Sequence, residues 1–295
     1  LRYYRYDNIL TPISGATVVV RSDAGEAFRF IEDIDDPGVY MLTAQGTPGQ
    51  QYHVEVTLPS GELITSEPTT ILQPTPIDET YFNITADGEI NNSGNFVTTE
   101  NVNVFLNTSF EDTDRPYLRW RVEGVYEFQE LYAGAFNPRK CYVQDNLDIN
   151  NLKVVNTSDI SGTELRDQPI FTTALNRRFN VIYCAHIRQL RISEDEFEYW
   201  TQVDELINID GTLFDPPPAS IQGNLQNESN PTKPVFGYFS VVSQSSTRMF
   251  IDVTTEGFFA ESNCTTLSFR VNPPECSDCE LINRSTLEKP AYWPF

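Results

Sequence analysis

The sequence predicts a mainly β protein. An N-terminal immunoglobulin-like β-sandwich is expected over residues 1–76, followed over 77–295 by a second β-rich sandwich or barrel domain with one capped α-helix near 193–209. Three observations lead there. Short runs of alternating apolar and polar residues recur along the chain, separated by Gly- and Pro-bearing turns. A stretch holding Pro68, Pro74 and Pro76 interrupts them where a domain boundary would fall. Helical spacing of apolar residues is strong at one place only, after Ser193.

In the first region, Pro12-Ile-Ser-Gly15 leads into a strand, Ala16–Val20, and Asp23–Glu26 is a hairpin-like turn before Ala27–Phe30. Val39–Leu42 follows Pro37-Gly38. Tyr52, Val54, Val56 and Leu58 share one strand face, with His53 and Glu55 on the other. Pro59–Glu62 turns the chain into Leu63–Ser66. Short strands at this regular spacing indicate an immunoglobulin-like sandwich. Leu1-Arg-Tyr-Tyr-Arg-Tyr6 has no Met and resembles mid-domain sequence, so a preceding segment with the first strand or strands is expected.

The second region opens with a strand from Glu79 and a polar loop over Asp87–Asn95. Val102, Val104 and Leu106 alternate as in a strand, as do Leu118, Trp120 and Val122, with Glu111–Asp114 as the hairpin tip between them. Residues 134–170 are weakly patterned and read as long loops. Phe179, Val181, Tyr183, Ala185 and Ile187 form a long alternating strand. Ser193 is then a good N-cap with Glu196 at N3, a capping box. Phe197, Trp200, Val203 and Ile207 give the helix one apolar face, and Gly211 is placed to end it. Pro216–Pro218 form a stiff extended connector. Further strands are expected at Phe236–Val242, Arg248–Thr254 and Thr266–Val271, with a turn at Gln244–Thr247.

The formal net charge of −22 argues against nucleic acid, which needs clustered Lys and Arg, and against a basic membrane-surface patch. No apolar run approaches the roughly 18–20 residues of a membrane span. Seven Asn-X-Ser/Thr sequons occur, which an Asn-, Ser- and Thr-rich chain produces by chance. Asp33-Ile-Asp35-Asp36 and Glu111-Asp112-Thr-Asp114 could offer oxygens to Ca²⁺, but neither has EF-hand spacing, and both read as solvated loops.

Of the five cysteines, an odd number, at least one thiol has no partner within the chain. Cys276 and Cys279 are expected in structural disulfides, with free thiols as the alternative. Their spacing also suits half a zinc site or a redox pair, but a zinc site needs about four ligands and no second pair is near in sequence. With His53 and His186 as the only histidines, nucleophilic triads have few options, and His186 on its strand reads as a partly buried structural residue. No G-x-S-x-G, H-E-x-x-H or Walker sequence occurs. No catalytic residue, metal or cofactor is expected. Most aromatics read as core. The terminal Pro290–Phe295 is the exception, because a chain end this aromatic packs on its own domain or on another protein, with Tyr292, Trp293 and Phe295 as candidate partner contacts.

Two blocks resemble the Bacteroidota outer-membrane lipoprotein family catalogued as domain of unknown function 4249. The first joins Pro12–Val20, Pro37–Tyr40, Gly49–Tyr52 and Thr75–Asp78. The second joins Ser193–Trp200, Leu213–Ala219, Gln222-Gly-Asn224, Phe236–Ser240, Cys276-Ser-Asp-Cys279 and Pro290–Trp293. The resemblance implies a lipid-anchored protein of the outer membrane facing the cell surface, held by an N-terminal lipid rather than a transmembrane span. It also implies an accessory partner of a TonB-dependent SusC-like transporter or other β-barrel outer-membrane protein, in nutrient uptake or envelope assembly. The expected function is therefore non-enzymatic. The alternative is a stand-alone cell-surface protein that binds glycan or peptide through aromatic side chains.

Overall fold

A computed structural model describes residues 12–90, 94, 96–131, 138–145, 147, 153–207, 221–262, 264 and 272–294. It is mainly β, built from antiparallel sheets with one α-helix, and no sheet closes into a barrel among the described residues.

The first seven strands are β1 (Thr17–Ser22), β2 (Ala27–Arg29), β3 (Ile31–Glu32), β4 (Tyr40–Met41), β5 (Gln51–Thr57), β6 (Leu63–Ser66) and β7 (Thr69–Thr70). The β1–β2 turn closes where Ser22 N–H reaches the Glu26 carbonyl at 3.0 Å. Val18, Val20, Tyr52, Val54 and Val56 share one apolar face, as period-2 alternation requires. The remaining elements are β8 (Glu79–Ile90), β9 (Phe96–Ser109), β10 (Tyr117–Gln129), β11 (Lys140–Asp145), β12 (Lys153–Asn156), β13 (Glu164–Ala174), β14 (Tyr183–Ile192), α1 (Glu194–Ile207), β15 (Leu225–Asn227), β16 (Ser243–Ile251) and β17 (Ser285–Thr286).

The N-terminal sheet runs β15-β6-β5-β1-β2, with β7 also on β5. A cut at residue 76 thus leaves β15 apart from the sheet it joins. Residues 236–242, expected as a strand, are irregular instead. They cross the apolar face of this sheet, where Phe239 and Val241 pack against Val20, Tyr52, Val54 and Ile71. Asn224 fixes the crossing. Its side chain donates to the Phe239 carbonyl and accepts from the Phe239 N–H, both at 2.8 Å, doing for one residue what a strand partner would. Gly223 and Gly237 meet backbone to backbone there, and a Cβ on Gly223 would overlap the Gly237 carbonyl.

The main core lies between two further sheets, β16-β14-β10-β11-β17 (with β12 on β10) and β13-β9-β8. Val102, Val104 and Leu106 of β9 are buried in it together with Leu118, Trp120, Ala185 and Ile187. β9 and β10 lie in different sheets, so Glu111–Asp114 is a crossover, not a hairpin tip. Its Asp112 pairs with Arg115 and its Asp114 with Arg191.

Several polar or unpatterned stretches are strands after all. The region 134–170 contributes β11, β12 and much of β13. β13 hid its alternation behind two register shifts, one between Leu165 and Gln168 and one between Pro169 and Phe171, so that the adjacent Ile170 and Phe171 are both buried. Pro169 is tolerated because β13 is an edge strand. Asp87–Ile90 continue β8 rather than forming a loop. The expected turn at Gln244–Thr247 lies inside β16, paired with Ile187–Leu190. The connector Pro216–Pro218, Gly211 and the expected strand Thr266–Val271 lie outside the described residues.

Gly124 is a sequence-level detail with a mechanical role. It sits mid-β10, opposite Ala185 and Asp145, and a Cβ there would overlap the hydroxyl of Tyr183. That hydroxyl donates to Asp145 at 2.9 Å. Gly124→Ala is therefore expected to cost about 1–3 kcal/mol of stability by overpacking. Urea unfolding checks this, and Tyr183→Phe added to Gly124→Ala should recover part of the loss by removing the overlapped oxygen.

Candidate functional site

The residues singled out in the sequence fall into two places, a stapled C-terminal region and a helix joint. Cys276 and Cys279 are both oxidised but not to each other. Cys141 of β11 bridges to Cys279, 138 residues away, and Cys264 bridges to Cys276. A redox pair or half zinc site at Cys276–Cys279 is thereby replaced by two separate staples. Among the described residues no group of His, Cys, Asp and Glu is arranged to hold a metal ion. The Cys279 turn is also held through Glu130, whose carboxylate is buried. It accepts from the Cys279 N–H at 2.8 Å and from Arg139 at 2.7 and 3.0 Å. Arg139 reaches on to Asp278 and Glu280.

The aromatic C-terminus packs on its own sheet. Trp293, a candidate partner contact in sequence, is 3 % exposed and lies edge-on to Tyr142 and Phe250 of its own chain at 5.1 and 5.3 Å. Its indole N–H donates to Glu127 at 3.2 Å, and Glu127 also pairs with Lys140 at 2.6 Å. Tyr292 is exposed and its ring lies under Arg248 at 4.3 Å. Phe295 lies outside the described residues. The free Cys184 is buried beneath Trp293, and burial pushes its thiol up to about 11. Thiolate chemistry at neutral pH is thereby suppressed. On the same face, burial first and the nearby Arg248 and Arg188 second hold His186 below the ordinary imidazole range.

Beside the stapled region a polar cleft of about 790 Å³ is lined by Tyr126, Asp145, Arg177, Arg178, Glu275 and Asn283. Its charges are matched: Arg178 pairs with Asp145 at 2.6 Å and Arg177 with Glu275 at 3.2 Å. Burial, with Asp145 adding to it, holds the Tyr183 hydroxyl far above its ordinary range, so it stays protonated. Two apolar hollows, about 550 and 500 Å³, flank the segment that crosses the N-terminal sheet.

The helix joint centres on Glu196. Sequence spacing identified it as the second half of a capping box, but only the first half forms. Ser193 Oγ accepts from the Glu196 N–H at 3.2 Å, while the Glu196 carboxylate turns inward. It is 1 % exposed and accepts from Trp200 Nε1 at 3.0 Å and from Ser240 Oγ at 2.6 Å. Arg119 of β10 lies 4.0 Å from it and stacks on the Trp200 ring at 3.6 Å. Burial lowers the Arg119 guanidinium to about 10, and Glu196 opposes that shift. Charge and cation–π stacking together hold α1 on β10, and Ser240 brings in the crossing segment. Sequence reading missed Arg119. Its place in an alternating strand marks a face, not a partner 77 residues away.

The outer face of β8-β9-β13 was also not foreseen. Tyr81 and Phe105 stack at 5.2 Å, beside an amide ladder in which Asn103 bonds to Asn83 at 3.0 Å and to Thr172 at 2.9 Å.

The staples make a direct prediction. Ellman's reagent should find no thiol in the native protein, one in denaturant and five after reduction. Removing the long-range bridge by Cys141→Ser with Cys279→Ser should cost about 2–5 kcal/mol in a denaturant titration.

Residues 2–248 match the family model described as Domain of unknown function (DUF4249). No curated protein and no solved structure matches the chain. Since the match spans most of its length, the chain belongs to the DUF4249 family.

Proposed function

We propose that this chain is a non-enzymatic lipoprotein of the Bacteroidota outer membrane, facing the cell surface. In this reading it is an accessory subunit of a complex with a TonB-dependent SusC-like or other β-barrel outer-membrane protein, in nutrient uptake or envelope assembly. The observation that carries the reading is the use made of the least exposed acids. Glu127, Glu130 and Glu196 are buried and engaged by Lys140 and Trp293, by Arg139 and Cys279, and by Trp200 and Ser240. In the polar cleft the carboxylates are paired as well, Asp145 with Arg178 and Tyr183 and Glu275 with Arg177. A general acid–base pair needs a carboxyl group free to exchange a proton with substrate, and these serve as joints instead. Two disulfides support an oxidising compartment outside the cytoplasm. The lipid anchor and the barrel partner come from the family resemblance.

A second reading, a stand-alone glycan- or peptide-binding surface protein, is favoured by the Tyr81–Phe105 stack and its neighbouring amides, which suit a sugar face. Purification from native membranes in mild detergent separates the two. The accessory role predicts recovery with a β-barrel outer-membrane protein at near-stoichiometric yield. Recovery only as a free monomer, with oligosaccharide binding lost on Tyr81→Ala, would favour the second.

A further inference from the structure

The β3–β4 hairpin carries its polarity inside out. Ile31 faces Met41 across the strand pair, and Glu32 faces Tyr40. A half-buried hairpin normally turns its apolar pair inward. Here the polar pair is the anchored one. The Glu32 carboxylate accepts from the Gly15 N–H at 2.8 Å and the Gly38 N–H at 3.0 Å. The Tyr40 hydroxyl accepts from the Ala16 N–H and donates to the Ile13 carbonyl, both at 2.8 Å. These bonds tie the hairpin to the segment entering β1 and leave its other side to solvent. Ile31 is 76 % exposed, Met41 56 %, and Ile34 at the turn 94 %, with Val39 exposed beside them. Single exposed apolar side chains are ordinary, but four within eleven residues of one hydrogen-bonded hairpin mark an interaction site. The same tip carries Asp33, Asp35 and Asp36, none of them in an ion pair among the described residues, and residues 31–42 include no Lys or Arg.

We infer that this hairpin is a docking knob. Ile31, Ile34, Val39 and Met41 enter an apolar groove on a partner protein whose rim presents Lys and Arg to Asp33, Asp35 and Asp36. Charge selects this occupant. A second copy would bring an identical acidic tip on a chain of net charge −22. An anionic bilayer surface would repel the three aspartates, with no basic residue on the hairpin to offset them. A basic-rimmed protein groove satisfies both the apolar and the acidic groups, the arrangement of a buried centre with a polar rim. The inference rests on the accessory role proposed above and assigns its contact surface.

Detergent purification of the full chain tests it with two variants, Ile34→Asp with Met41→Asp, and Asp33→Asn with Asp35→Asn and Asp36→Asn. The apolar variant should lower barrel recovery at least about tenfold, as loss of a central hot spot does, with an unchanged melting temperature because both side chains are exposed. The amide variant should lower it several-fold and flatten its dependence on NaCl. A photo-cross-linker at position 34 should map to a Lys- or Arg-bearing segment of the barrel protein. Undiminished recovery with the apolar variant would overturn the docking assignment while leaving the accessory role standing. So would a cross-link to lipid, to a second copy or to residues 1–11 of the same chain. No barrel protein with the wild-type chain would overturn both.

Discussion

The side-chain amide of Gln189 lies where the connector, the three-stranded sheet and the main sheet meet, and is 1 % exposed. Its NH₂ group donates to the carbonyls of Thr75 and Pro76, each at 3.0 Å, and to Thr108 Oγ1 at 3.2 Å. Its oxygen accepts from Trp120 Nε1 at 3.0 Å. Thr75 and Pro76 belong to the proline-rich connector leaving the N-terminal sheet, which has no strand partner for its carbonyls there. Buried carbonyls without partners are costly, so the connector can cross the core only where a donor awaits it. Gln189 supplies that donor from the centre of β14, and Thr108 Oγ1 adds a bond of 2.5 Å to the Pro76 carbonyl. Connector, three-stranded sheet and main sheet are thereby fixed by one amide.

Glu196 does the same at the helix joint. It joins α1 to the crossing segment through Ser240, lies against Arg119 of β10, and so links the cover of the N-terminal sheet to the main sheet. Several residues in the stretch that carries the resemblance, Glu196, Trp200, Gly223, Asn224 and Gly237, thus have internal mechanical roles. A scaffold pinned this way leaves three features facing outward: the β3–β4 tip, the cleft beside the staples and the Tyr81–Phe105 face.

Much of this was legible in sequence, for definable reasons. β9 keeps its alternation because one face is buried, the first half of β10 and the middle of β14 keep it for the same reason, and α1 has its N-cap and period. β13 was not legible because bulges reset its parity. Distal β8 and most of β16 were not, because polar residues on solvent-facing strands look like loops. Phe236–Val242 alternates as a strand would, yet Gly237 at φ +112° and the Asn224 clasp keep it out of any sheet. The connectivity of the staples escaped because Cys141 and Cys279 are brought together by β11 and the Cys279 turn, not by spacing. The hairpin tip escaped because its pattern contradicts the rule used to read it: the polar positions are the anchored ones.

If buried polar joints organise the fold, Gln189→Leu is the sharpest probe, since it keeps volume and removes every bond. Urea unfolding with hydrogen exchange over residues 72–78 reads the result. The account predicts a loss of about 3 kcal/mol or more, from carbonyls and an indole left unpaired, with faster exchange in the connector. An unchanged midpoint with the connector still protected would contradict it.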